Sequence, residues 1–148
     1  MAQNPTARSA TLDDLSFLLA RANAVSLQAA SAGLRPYGLK PRSYSVLALA
    51  VSGARPSQRE IAEYLRLDPS QVVALVDGLQ ERGLVARETD ERDRRANVVV
   101  ATDEGARLHA DVRGTVERTE GEVLGALDPA ERAALRALLE RIAFPEGG

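Results

Sequence analysis

Between two apolar stretches the chain carries Asp90-Glu91-Arg92-Asp93-Arg94-Arg95, three acids and three arginines in six residues. An arginine on such a projecting loop suits the minor groove of DNA, because narrow A·T tracts concentrate negative potential there. Arg92, Arg94 and Arg95 are the candidates for contact with the groove and the phosphates. An isolated charge run is more often a solvated hairpin tip, so its weight comes from what precedes it. What precedes it is Asp68-Pro69-Ser70-Gln71, a helix start whose polar face continues through Val73, Ala74 and Asp77. Short polar side chains in a first helical turn can reach base edges, and a glutamine pairs bidentately with adenine. Val73 and Ala74 offer apolar contact to thymine methyls, while the positive end of the helix faces phosphate. Ser70 and Gln71 have a competing use as plain capping residues, with Gln71 folded back on Asp68. Lys40, Arg42, Ser43 and Arg59, near the starts of their own helices, are further phosphate candidates.

Other chemistries find little material. The chain has no cysteine, which removes disulfides, thiolate metal sites and thiol nucleophiles. His109 is the one histidine, and beside Leu108 on a long helix it reads as packing or surface. Asp13-Asp14 and Asp103-Glu104 sit in first helical turns, where carboxylates are expected for the dipole alone. There is no glycine-rich phosphate loop and no nucleophile motif, so neither enzyme activity, metal nor cofactor is expected. Aromatics are 3%, too few for a base-stacking platform.

The 148 residues make one domain, or one domain with a docking element, and 45% hydrophobic with 27% charged residues is ordinary for a globular chain. The net charge of −2 argues against a wholly basic DNA coat. It divides unevenly: residues 35–95 hold 11 basic and 9 acidic side chains, the remainder 8 and 12. Met1 to Ala10 is polar and lacks the apolar segment of a secretory signal. No stretch reaches the ~18 apolar residues of a membrane span. A cytoplasmic protein with no membrane contact is expected.

The elements that must position these residues follow from periodicity. Leu12, Leu15, Leu18, Leu19, Ala22, Val25, Ala29 and Ala32 form a helical stripe, opened by Thr11 as cap and ended by Gly33. Pro41 starts a second helix bearing Tyr44, Leu47, Ala48 and Val51 up to Gly53. Ser57-Gln58-Arg59-Glu60 is a capping box opening a short third helix, and Asp68-Pro69 opens a fourth that stops at Gly83. Two short helices so closely joined make a helix-turn-helix. Leu84–Arg87 and Asn97–Ala101 have strand composition. A polar tip joining two strands after a helix-turn-helix is a wing. Thr102-Asp103-Glu104 starts a long fifth helix with the stripe Leu108, Val112, Val116, Thr119, Val123 and Leu127. Asp128-Pro129-Ala130-Glu131 starts a sixth, with Leu135, Leu138, Leu139 and Ile142 on one face. The apolar faces of the first, fifth and sixth helices exceed what a winged helix needs to cover itself, which predicts a homodimer. The expected fold is mainly α with a small β wing: an N-terminal dimerisation helix (1–36), a winged helix-turn-helix domain (37–101) and C-terminal dimerisation helices (102–148).

In several pieces in register the chain resembles the MarR family of bacterial transcriptional regulators. The pieces are Gly38 to Leu47, Ser57 to Ala62, Leu67 to Arg87, the wing Asp90 to Ala96, and Thr102-Asp103-Glu104-Gly105. The resemblance is close from Gly38 to Leu108 and a matter of pattern in the flanking helices. It implies a homodimeric repressor that binds an inverted-repeat operator in double-stranded DNA. It also implies release by a small anionic or aromatic effector, bound near the junction of the DNA-binding and dimerisation regions. The family's wing arginine, here Arg94, enters the minor groove and is braced by the aspartate before it, Asp93. Tyr37 and Tyr44 lie where relatives bind effectors, although core or junction packing accounts for them as well. Lys40 and Ser43 stand where many members carry Thr and Gln, so their candidacy rests on their own residue types and not on the family's contacts at those positions. Without Cys the family's thiol-oxidation switch is excluded, and one His weighs against its zinc branch. The alternative reading is a winged helix for architectural or protein contact, with no effector.

Overall fold

The computed structural model describes residues 14–145. Its elements are α1 (Leu15–Leu34), a single 3-10 turn (Arg35–Tyr37), α2 (Pro41–Val51), α3 (Gln58–Leu65), α4 (Pro69–Glu81), β1 (Val85–Thr89), β2 (Asn97–Ala101), α5 (Asp103–Val123) and α6 (Pro129–Ala143). Among the described residues the chain is mainly helical, with β1 and β2 paired antiparallel so that Val85 faces Ala101 and Thr89 faces Asn97. No helix among the described residues is long and apolar enough to cross a membrane.

Local chemistry sets most of the boundaries. Ser57 and Glu60 close a reciprocal capping box on α3, and Asp128 with Glu131 closes another on α6. Each satisfies two backbone donors that a helix start would otherwise leave open. Thr102 accepts from the Gly105 N–H at 3.1 Å at the start of α5 and donates to the Gly83 carbonyl at 2.6 Å. Thr11, the expected cap of the first helix, lies outside the described residues. Within them Asp14 does the capping, its Oδ1 accepting from Ser16 N at 2.9 Å and Phe17 N at 3.3 Å. The first helix also does not end at Gly33. It runs through Leu34, and the stop comes at Gly38, whose φ of +66° is a left-handed geometry that glycine adopts without a Cβ penalty. The turn between α3 and α4 is closed differently: Arg66, not a glycine, takes φ +55°, held by the Leu67 N–H bonding back to Ala62 at 3.0 Å.

The chain divides into two compact units. The winged unit, Ala30–Val116, holds a core of Leu34, Leu39, Val46, Leu47, Ile61, Val72, Val76, Leu79, Leu84, Val85, Val99 and Val112. Its residues therefore include the last turn of α1 and the first two thirds of α5. Gly105 lets α5 begin hard against Leu84, since a Cβ there would stand 1.9 Å from the Leu84 carbonyl oxygen. The wing is fastened at its base by a Val99 N–H bond to the Pro56 carbonyl at 2.8 Å. The terminal unit, Met1–Ala29 with Glu117–Gly148, has no buried residue among those described. Leu15, Val25, Leu138, Leu139, Ile142 and Phe144 are all exposed. An open groove of about 540 Å³ between the end of α5 and α6 has Leu124, Leu135, Leu139 and Phe144 in its lining.

Candidate nucleic-acid interface

Three faces of the winged unit carry the residues singled out above. On α4, Val72, Val76 and Leu79 are buried, which turns Ser70, Gln71, Val73, Ala74 and Asp77 to solvent. Val73 is 39% exposed, an apolar side chain left on the polar face. Gln71 is folded back, its Oε1 accepting the Asp68 N–H at 3.3 Å, so the capping use is the one adopted here. Its amide NH2 remains available to donate. Asp77 is engaged as well: its Oδ1 accepts from Arg87 at 2.6 Å.

The wing tip is built around Asp90, the one charged residue that is buried among the described residues, at 8% exposure. Its carboxylate accepts from the Arg92 backbone at 2.9 Å and from the Arg92 guanidinium at 3.2 Å on both oxygens. Those bonds, the side chain's first and the backbone's second, hold the Asp90 carboxyl below its ordinary value; Asp90 in turn raises Arg92. Arg92 also stands 3.9 Å from Glu60, which hydrogen bonds from Ser57 hold below its ordinary value. The arginine expected to meet phosphate is thus a clasp across the wing turn. Asp93 accepts the Arg95 N–H at 3.0 Å, and its carbonyl accepts from Ala96 at 3.0 Å. It shapes the turn, and no bond joins it to the Arg94 side chain. Arg94 and Arg95 are exposed, and neither guanidinium has a partner among the described residues.

On the third face Lys40 and Arg42 are exposed at the start of α2, with Ser43 half-buried beside them. Arg59 is committed to Glu63 at 2.9 Å, an exposed pair one helical turn apart, and Glu63 raises the arginine's affinity for its proton.

Tyr37 and Tyr44 both meet α5 within the winged unit. The Tyr37 hydroxyl bonds the Thr115 hydroxyl at 3.0 Å. Tyr44 stacks on His109, ring centres 5.4 Å apart and planes 12° from parallel. Burial, and then the charge of Arg113, push the His109 imidazole below its ordinary value, so the neutral ring is favoured. Among the described residues no group of His, Asp and Glu side chains could hold a metal ion.

Two arginines went unread in the sequence. Arg87 in β1 donates to Gln58 at 2.7 Å, Gln80 at 2.6 Å and Asp77 at 2.6 Å. Arg82 donates to the carbonyls of Gly38 at 2.8 Å and Tyr37 at 2.9 Å, fastening the end of α4 to the turn before α2. A signal for Arg87 existed in the spacing of Asp77 and Gln80, three residues apart on one helix face.

Helix-turn-helix and wing on one closed core define a winged helix-turn-helix protein. A family model described as the MarR family matches residues 37–96. A MarR-family transcriptional regulator from Rhodococcus sp. RHA1 is 41% identical with a TM-score of 0.85, covering 97% of this chain and 98% of that one. CouR from Rhodococcus jostii RHA1, solved bound to p-coumaroyl-CoA, is also 41% identical, with a TM-score of 0.83 over 92% of this chain and 96% of its own. A protein of Thauera aromatica assigned as a transcriptional regulator for the hcr operon is 31% identical over 105 residues, 71% of this chain. The chain spans 63% of that relative's length. The chain belongs to the MarR family of transcriptional regulators.

Proposed function

We propose that the protein binds an inverted-repeat operator in double-stranded DNA as a homodimer, acts as a repressor in the cytoplasm, and is released by a small aromatic, anionic effector. The observation that carries the DNA contact is Arg94, unpaired on the wing tip of the same closed core that presents the exposed first turn of α4. Ser70, Gln71, Val73 and Ala74 would read the major groove, Arg94 the minor groove, and Arg95, Lys40 and Arg42 the phosphates. The net positive charge of residues 35–95 supports this orientation. Dimerisation is supported by the terminal unit, whose apolar side chains stand exposed in a single copy. The effector class rests on the relative solved with p-coumaroyl-CoA, at once aromatic and anionic.

Release would work through differential affinity. A dimer on successive major grooves needs its recognition helices about one helical turn, ~34 Å, apart. An effector that favours another separation withdraws the dimer from that state, and ~1.4 kcal/mol of coupling weakens operator binding tenfold. The test is selection of genomic fragments by the purified protein, followed by footprinting. Arg94→Ala is expected to cost on the order of 1–3 kcal/mol in affinity for a selected fragment while leaving the oligomeric state unchanged. Unaltered binding by that variant would remove the minor-groove role. A thermal-shift screen of aromatic carboxylates and their CoA thioesters checks the effector; no shift with any of them favours the effector-free alternative.

A further inference from the structure

We propose that Arg87 is a positioning residue that locks the wing to the recognition helix, with Asp77 as its anchor rather than a reader of bases; the proposal rests on the DNA-binding reading above. Each guanidinium nitrogen of Arg87 has its own acceptor: Nε donates to Gln58, Nη1 to Gln80 and Nη2 to Asp77, all between 2.6 and 2.7 Å. One side chain rooted in β1 thereby ties the first turn of α3 and two successive turns of α4. A planar fork with fixed donor directions can hold three acceptors in register, which an ammonium cannot. The Arg87 side chain is 23% exposed against 58% for Asp77, so the inner partner is the arginine and the carboxylate is drawn to it. The other polar ties at the wing base, Arg55 with Glu88 and Val99 N–H with Pro56, reach the segment before α3 and leave α4 untouched.

The consequence is preorganisation. A wing already fixed to α4 presents Arg94 without an ordering cost at the moment of binding. With the lock gone, that cost falls on binding and cancels part of what Arg94 contributes. The same pairing neutralises a carboxylate that would otherwise face phosphates from the exposed side of α4.

Two measurements test this, one of them without DNA. In the free protein, amide hydrogen exchange between residues 88 and 97 is expected to accelerate about tenfold or more in Arg87→Gln, while core amides at Val46 and Leu47 keep their protection. Arg87→Lys serves as the second variant should the first fail to fold, and is expected to behave like it. Unchanged wing exchange in either folded variant would overturn the lock even if no DNA were ever selected. On a selected fragment, Arg94→Ala is expected to weaken wild-type protein on the order of ten- to a hundredfold, but about threefold or less in the Arg87→Gln and Asp77→Ala backgrounds. An Arg94 penalty of equal size in every background would overturn the proposal. So would an Asp77→Ala variant that changes the preferred bases while keeping the full penalty, since Asp77 would then be a reader. Failure of wild-type protein to select any fragment counts against the DNA reading, and the exchange result stands apart from it.

Discussion

In the winged unit, between Ala30 and Val116, lie all of the buried hydrophobic residues described, from Leu34 to Val112. The terminal unit is comparably rich in leucine, isoleucine and valine, yet none of its described residues is buried. Both read as amphipathic helices in sequence, and the difference lies in what covers the stripe. In the winged unit Leu47, Ile61, Val72 and Val99 meet one another across helices and strand, closing a core within one chain. In the terminal unit Leu15, Val25, Leu138 and Ile142 find no such cover. An apolar face that cannot be closed internally is an interface in waiting. The proposed division of labour rests on this contrast: a closed unit to hold the reading surface, and an open one to bring two copies together.

If the winged unit owes its stability to its own core, cutting that core should cost most. Leu47→Ala is expected to destabilise by about 2–5 kcal/mol in chemical denaturation, since it removes a fully buried side chain from the centre of the cluster. A loss under about 1 kcal/mol would show that the cluster is not the stabilising centre. Gly105→Ala probes the same unit at its tightest contact. With its Cβ driven to 1.9 Å from the Leu84 oxygen, α5 must shift, at an expected cost of about 1–3 kcal/mol. In the terminal unit the sign of the comparison reverses. Leu139→Glu should leave the monomer fold intact, because Leu139 is 41% exposed, and should weaken self-association at least about tenfold in sedimentation experiments. A folded variant whose self-association is unchanged would place the interface elsewhere.

The smallest effect expected is that of His109. Its folded-state value lies below the ordinary 6.5, so the unfolded chain takes up the proton first. Stability is therefore full above about pH 6.5 and declines as pH falls from there toward the folded value. His109→Phe keeps a ring against Tyr44 and should flatten the denaturation midpoint between pH 7.5 and 5. The carboxylates of Asp90 and Glu60, also lowered, lose their contribution only as pH falls below about 4, outside that window. An equal decline in the variant would assign the effect to another group.

How much of this the chain disclosed beforehand depended on range. The capping boxes at Ser57 and Asp128 were readable because their partners sit three residues apart, and the wing because a β-branched run follows a polar loop. Gly33 misled as a helix end, since a glycine inside a helix is tolerated and only a positive φ, found at Gly38, marks the stop. Arg92 read as a phosphate contact because nothing in a charge run shows which acid will turn inward; its clasp on the buried Asp90 comes into view only with the fold. The Tyr44–His109 stack and the Arg87 lock join residues far apart in the chain, and only the packed core brings them together. The residues proposed to touch DNA were legible by type and position, but their partners were not.

A two-fold reader with one α4 and one wing per half-site can be checked by sequencing the fragments that the purified protein selects and counting chains per bound fragment. A shared inverted repeat with half-site centres about one helical turn apart, occupied by two chains, is expected. Fragments with no common inverted repeat, or one chain bound per site, would contradict it.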